Sequence, residues 1–207
     1  MSDLANLIPV LLLLILSLSV HEAAHAWTAD RLGDPTARAL GRVTLNPLAH
    51  IDWIGTVLFP IIAFTTGAPL IGWAKPVPVN FHNLRAPRRD FAIIAAAGPA
   101  SNLAQAVLGA AVLAMAFDSM SMDLVPVVLR SFVSLNVALA VFNMIPVPPL
   151  DGGNVLSGIL PEQFARLIDQ LRPWGFLVLY ALLFTGVLRT VVFPISRSLY
   201  NVLVPAY

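Results

Sequence analysis

The chain contains no cysteine, which excludes disulfides and any metal site built on thiolates. It is poor in charge: 11% of its 207 residues are Asp, Glu, Lys or Arg, under half of the roughly 25% usual in soluble domains. The formal net charge is only +1 and no block of basic residues occurs, so nothing points to nucleic acid as a partner. Glutamate occurs twice, at Glu22 and Glu162. The apolar run near the N-terminus has Asp3 before it and neither Lys nor Arg. It therefore lacks the positive start of a secretory signal and reads as a retained first helix.

What the chain has in quantity is apolar sequence, 58% hydrophobic with a mean hydropathy of +0.82. Stretches 4–20, 53–74, 91–117, 131–150 and 173–188 carry no charged residue. Each is near the roughly 20 residues that cross a bilayer as a helix. The fold class read from this is an all-α polytopic membrane protein forming one integral-membrane domain over 1–207. About four transmembrane helices are expected, at 5–28, 91–117, 124–144 and 174–192, with the core motifs in 11–156 and a cytoplasmic segment plus the last transmembrane helix in 157–207. Short membrane-associated β-strands are expected at 42–45 and 77–79, offering an edge on which an unwound substrate segment would pair.

Against this background "HEAAH", residues 21–25, stands out, because ionisable groups inside a membrane helix are costly and call for a reason. His21 and His25 are four apart, so a helix puts both imidazoles on one face, about 6 Å apart along the axis. That spacing suits one zinc ion bound by two ring nitrogens, with Glu22 between them placed to take a proton from water. A catalytic zinc normally has three protein ligands. Arg31 occupies the place of a third histidine in the extended form of this motif, and Asp30 and Asp34 sit where the helix leaves the membrane. His50 and His82 fall in interfacial loops. Asp151, after the prolines 146, 148 and 149 that end an apolar helix, is a carboxylate at a backbone break. Broken backbone at membrane depth occurs where it is buried in protein or lines a cavity. By spacing alone Asp151 is equally an N-cap of the helix that follows; the two histidines without a partner favour ligation.

These motifs together resemble the site-2 protease family of intramembrane zinc metalloproteases. The resemblance is carried by HEAAH, by "AAAGPASN" at 95–102 and by "NMIPVPPLDGG" at 143–153. The stretch "LGDPTARALGRVTLNPLAHIDWIGT" at 32–56 is similar to the compact bacterial branch without a PDZ domain. The resemblance implies hydrolysis of a peptide bond in a transmembrane substrate, most simply a single-pass helix, using one Zn2+ per chain. His21, His25 and Asp151 would be the ligands and Glu22 the general base. Asn102 and Asn143 match asparagines that line the family's site, where they would hold substrate or stabilise an oxyanion. Both are also suited to interhelical hydrogen bonding. Gly98-Pro99 reads as a packing or kinking element. A zinc-stabilised scaffold without turnover, or a zinc transporter, are the rival functions.

Threading follows from the cations. If 53–74 dips into the membrane and returns, Arg31, Arg38, Arg42, Lys75, Arg85, Arg88, Arg89, Arg166 and Arg172 share one side, nine against three. If it crosses, the split is six and six. The positive-inside rule prefers the re-entrant hairpin in a multi-pass protein of the cell membrane, with Asp151 on the side of the two histidines and the site nearer the cytoplasm.

Overall fold

The computed structural model describes residues 2–66, 73–116 and 124–205. In chain order the helices are α1 (Ser2–Arg31), α2 (Thr36–Ala39), α3 (Phe59–Thr66), α4 (Pro87–Ala116), α5 (Leu124–Asn143), α6 (Asp151–Ile159), α7 (Glu162–Leu171), α8 (Gly175–Phe184) and α9 (Val187–Leu203). Among the described residues, four apolar helical stretches are long enough to cross a bilayer: Ile8–Arg31, Pro87–Met115, Leu124–Asn143 and Glu162–Phe184. The protein is accordingly a multi-pass, largely helical membrane protein. Leu12, Leu16, Val107, Leu108 and Val112 stay exposed on these helices, as side chains facing lipid do.

α4 is the central element, packed on α1, α5 and α6. Its sequence explains this. Small residues, among them Ala95, Ala106, Gly109 and Ala110, let neighbouring backbones approach closely where lipid gives no hydrophobic drive for association. Gly109 lies against Phe132 and Val133 of α5. The cluster Ala106, Ala110, Val133 and Val137 is closed on its far side by Tyr200, Leu203 and Val204 from α9 and the residue after it. α4 begins with Pro87 at its first turn, and Asp90 accepts from the Ala86 amide, both favourable helix starts.

The exit of α1 is held firmly. Gly33 turns the chain at φ +106°, where a side chain would be strained. The buried Asp34 carboxylate then accepts from Thr36 N and Oγ1, from Asn80 N at 2.7 Å and from Asn83 Nδ2 at 2.8 Å. Burial raises its pKa, but the donors Thr36, Asn83 and Asn80 outweigh burial and hold the carboxyl below its usual value. One acid thus ties the end of α1 to the segment leading into α4. Arg38 pairs with Asp30 on the same outer edge.

Residues 53–66 leave this edge as a π-helical turn, Trp53–Leu58, continued by α3; Asp52 caps it through the Ile54 and Gly55 amides. The chain is back at the start of that excursion by Trp73. Trp73 N donates to Gly55 O, and Thr56 Oγ1 donates to Trp73 O at 2.7 Å. The two ends of the segment therefore meet, as a hairpin requires and a full crossing forbids. Residues 67–72 lie outside the described residues.

Two expectations need correction. Among the described residues there are no strands: 42–45 is irregular and bent, and 73–80 is extended without a ladder. Pro76 and Pro78 remove two amide donors from the second segment, leaving only isolated links such as Lys75 N to His50 O at 2.9 Å. Nor is 174–192 one helix. It breaks at Thr185 and Gly186, the latter in the left-handed region at φ +76°, and α9 departs to pack on α5. The apolar helical run before that break starts earlier than expected, at Glu162.

Candidate metal centre

Each member of the candidate site is placed by a separate local device. His21 and His25 come from successive turns of α1, six to ten residues before its end at Arg31. That is about 9–15 Å of helix. Asp151 arrives from the break after α5. Residues 144–150 form a tight loop, with Pro148–Pro149 cis, and α6 folds back onto it. Gly152 and Gly153 make this possible, since a Cβ at either would collide with loop backbone at Met144–Ile145 or Val147–Pro148. Arg88 secures the other end of α6 by donating to Ser157 O and Leu160 O. The N-cap position is held by Leu150, and Asp151 is the first residue of the helix.

Three ligand atoms converge. His21 Nε2 and His25 Nε2 lie 3.0 Å apart, and Asp151 Oδ2 lies 3.1 Å from the first and 3.4 Å from the second. Their protonation follows from what lies behind them. His25 Nδ1 sits 2.7 Å from Ile94 O, a carbonyl that can only accept, so Nδ1 carries a proton and the neutral ring keeps its lone pair on Nε2. His21 Nδ1 donates in the same way to Asn102 Oδ1 at 2.6 Å. Asp151 Oδ2 is buried and faces the two Nε2 atoms. With both rings neutral, three lone pairs point at one another, the arrangement that suits a shared cation.

The dimensions fit zinc. Ligands at about 2.0–2.1 Å in tetrahedral geometry stand about 3.3 Å apart, and the three observed edges bracket that value. The space for the ion is kept by Gly98 on α4. A Cβ there would lie within 2.5 Å of His21 Nε2 and closer still to His25 Nε2. Among the described residues, His21, His25 and Asp151 form the one cluster able to hold a metal ion in this way. Buried imidazoles backed by a carbonyl and an amide, with one anionic oxygen, are the donor set zinc favours.

Glu22 is buried at 9% exposure on the adjoining face of α1. Arg42 reaches inward from the loop after α2, donating to Lys75 O, while its Nε is buried without a partner. Burial draws the Arg42 guanidinium below its usual pKa, and the Glu22 carboxylate opposes that shift. Asn102 is fully buried; its oxygen accepts from His21 and its nitrogen donates to Asn136 Oδ1 at 2.9 Å. Site lining and helix bridging, alternatives in the sequence, meet in this one residue. Asn143 is half-buried and donates to Leu139 O of its own helix. His50 Nε2 donates to Thr44 O in its loop, and His82 is exposed.

Sequence reasoning missed Ile94, Gly98 as a spacer, Asn136 and Ser17. A signal was present for the first two: Ile94, Gly98 and Asn102 follow at intervals of four, one stripe of α4 facing His25, the gap and His21 in turn.

Comparison with known proteins adds the following. The sequence pattern of peptidase family M50 matches residues 118–186. A Bacillus subtilis protein named "Putative zinc metalloprotease YwhC" is 36% identical over 200 residues, covering 93% of this chain and 88% of the relative. Two proteins named "Putative zinc metalloprotease Rip2" are also similar. The one from Mycolicibacterium smegmatis is 32% identical over 84% of this chain and 66% of its own length. The one from Mycobacterium tuberculosis strain H37Rv is 28% identical over 90% and 71%. No solved structure matches significantly.

Proposed function

Because the chain belongs to peptidase family M50, we propose that it is a zinc-dependent endopeptidase hydrolysing a peptide bond within or near a transmembrane helix of a membrane-protein substrate. The observation that carries this reading is the convergence of three ligand atoms next to a buried glutamate. His21, His25 and Asp151 hold one zinc per chain. When bound, zinc supplies Lewis-acid polarisation of a peptide carbonyl and makes a water molecule more acidic. Glu22 manages the proton: its carboxylate takes one from the attacking water as the new O–C bond forms at the carbonyl carbon. It returns that proton to the amide nitrogen as the C–N bond breaks. Asp151 offsets part of the ion's charge, and the two Nδ1–H groups keep both rings neutral and fixed. A structural zinc would fill its fourth position with protein; only three ligands gather here among the described residues, which supports turnover over a scaffold.

A substrate helix has its amides paired internally, so the scissile segment unwinds before attack. The position of the histidines near the end of α1, together with the cation bias, supports a site nearer the cytoplasmic face. This threading has a direct test, because the chain offers no background thiol. Impermeant thiol labelling of intact cells should modify Ser119→Cys and leave Gln163→Cys unmodified. Labelling at 163 but not at 119 reverses the threading.

The zinc assignment is tested by metal analysis and by cleavage of a transmembrane peptide. Wild type should hold about one zinc per chain. Asp151→Asn should lose affinity by more than the roughly 10–100-fold that loss of an outer partner costs, because a charged ligand becomes neutral. Full zinc occupancy in Asp151→Asn would reject it as third ligand.

A further inference from the structure

We propose that Asn136 is a positioning residue for the metal site: it fixes the tautomer of His21 through Asn102, although its own hydrogen bonds reach no ligand atom. The proposal rests on the zinc reading above and extends it.

The argument follows the direction of each hydrogen bond. An asparagine can turn its amide by half a turn and present nitrogen where oxygen was, so Asn102 by itself does not decide which ring nitrogen of His21 bears the proton. With oxygen toward His21, Nδ1 is protonated and Nε2 is free to ligate. With nitrogen toward His21, Nδ1 accepts, the proton moves to Nε2, and the ligand atom is blocked. Asn102 Nδ2, however, donates to Asn136 Oδ1 at 2.9 Å, and that bond survives only while Asn136 shows its oxygen. Asn136 in turn cannot turn over. Its Nδ2 donates to Phe132 O at 3.0 Å and to Ser17 Oγ at 2.9 Å, and Phe132 O is a backbone carbonyl able only to accept. Turning Asn136 would set two oxygens against each other in a site with no exposure to solvent.

The polarity of the whole chain is thus anchored at Phe132 O and passes through Asn136 and Asn102 to His21. His25 needs no such chain, since Ile94 O faces it directly. Both ligand lone pairs are set by backbone carbonyls, one at first hand and one through two amides. Bridging of α1, α4 and α5 by Asn136 accounts for the hydrogen bonds but not for their common direction.

The test uses full-length protein in detergent, with 15N-labelled histidine and zinc affinity measured by chelator competition. In metal-free wild type, His21 should show a protonated Nδ1 and an unprotonated Nε2. Asn136→Leu should give His21 a mixed tautomer and weaken zinc binding about 10–100-fold, with helicity retained. Adding Asn102→Asp should restore the Nδ1–H tautomer, because a carboxylate has no donor to present whichever way it turns. Asn136→Leu with an unchanged His21 tautomer and unchanged zinc affinity overturns the proposal. So does a folded double variant that stays mixed, which would reduce Asn136 to packing. If wild type itself takes up no zinc, the zinc reading fails while the tautomer measurement still decides this proposal.

Discussion

Glu22→Gln is expected to hold zinc as wild type does and to cleave a transmembrane peptide about 10²–10⁴-fold more slowly, the usual loss on removing a general base. The side chain keeps its size and its buried place on α1, so packing changes little. It loses the ability to accept a proton at neutral pH, since an amide oxygen is a far weaker base than a carboxylate. The ligand atoms belong to His21, His25 and Asp151, so zinc content should stay near one per chain. Metal content and cleavage rate, measured on the same preparation, separate the two roles. A variant cleaving at the wild-type rate would sink the mechanism, and equal inactivity of both forms on every peptide tried would favour a scaffold.

Gly98→Ala is expected to abolish zinc binding while leaving the helices intact. The added methyl would lie 2.4 Å from His25 Nε2 and 2.5 Å from His21 Nε2, so the two ligand atoms must shift from the positions that suit the ion. In an exposed helix, alanine is favoured over glycine by about 1 kcal/mol, so α4 has no reason of its own to unravel. Loss of metal together with unchanged helicity is therefore the signature, and activity should vanish with the metal. One zinc per chain in Gly98→Ala would place the ion elsewhere.

Much of this site can be read without coordinates because it is made of side chains at helical spacing. The HEAAH face needs only the periodicity of α1, and Asp151 is marked by prolines that must interrupt a helix at that depth. The limits of α1, α4 and α5 follow from charge and length, because lipid tolerates few alternatives. What stayed hidden has different physical origins. Ile94 contributes a backbone carbonyl, which no residue type announces. Asn136 has the appearance of any helix-bridging asparagine, and its meaning lies in the direction of its bonds. The break at Gly186 sits inside an unbroken apolar run, where hydropathy is blind to a single left-handed residue. The strands failed because Pro76 and Pro78 leave the second segment without two of the amide donors that a ladder needs.

The Asp34 anchor also bears on which of its neighbours α1 can part from. Parting α1 from α4 would leave buried donors unmet at His21–Asn102, His25–Ile94 and the Asp34 cluster, at about 1–3 kcal/mol for each group stranded. The two helices consequently behave as one rigid plate. The border between α1 and α5 is of another kind. There Leu14 and Leu18 lean on Leu135 and Leu139, and the bridge across it is Ser17 to Asn136. Leucines leaving one another for lipid tails lose little, because the tails are equally apolar. Opening α1 from α5 would therefore cost less than opening it from α4, and this seam runs along the stripe on which Leu18 is followed, one helical turn later, by Glu22.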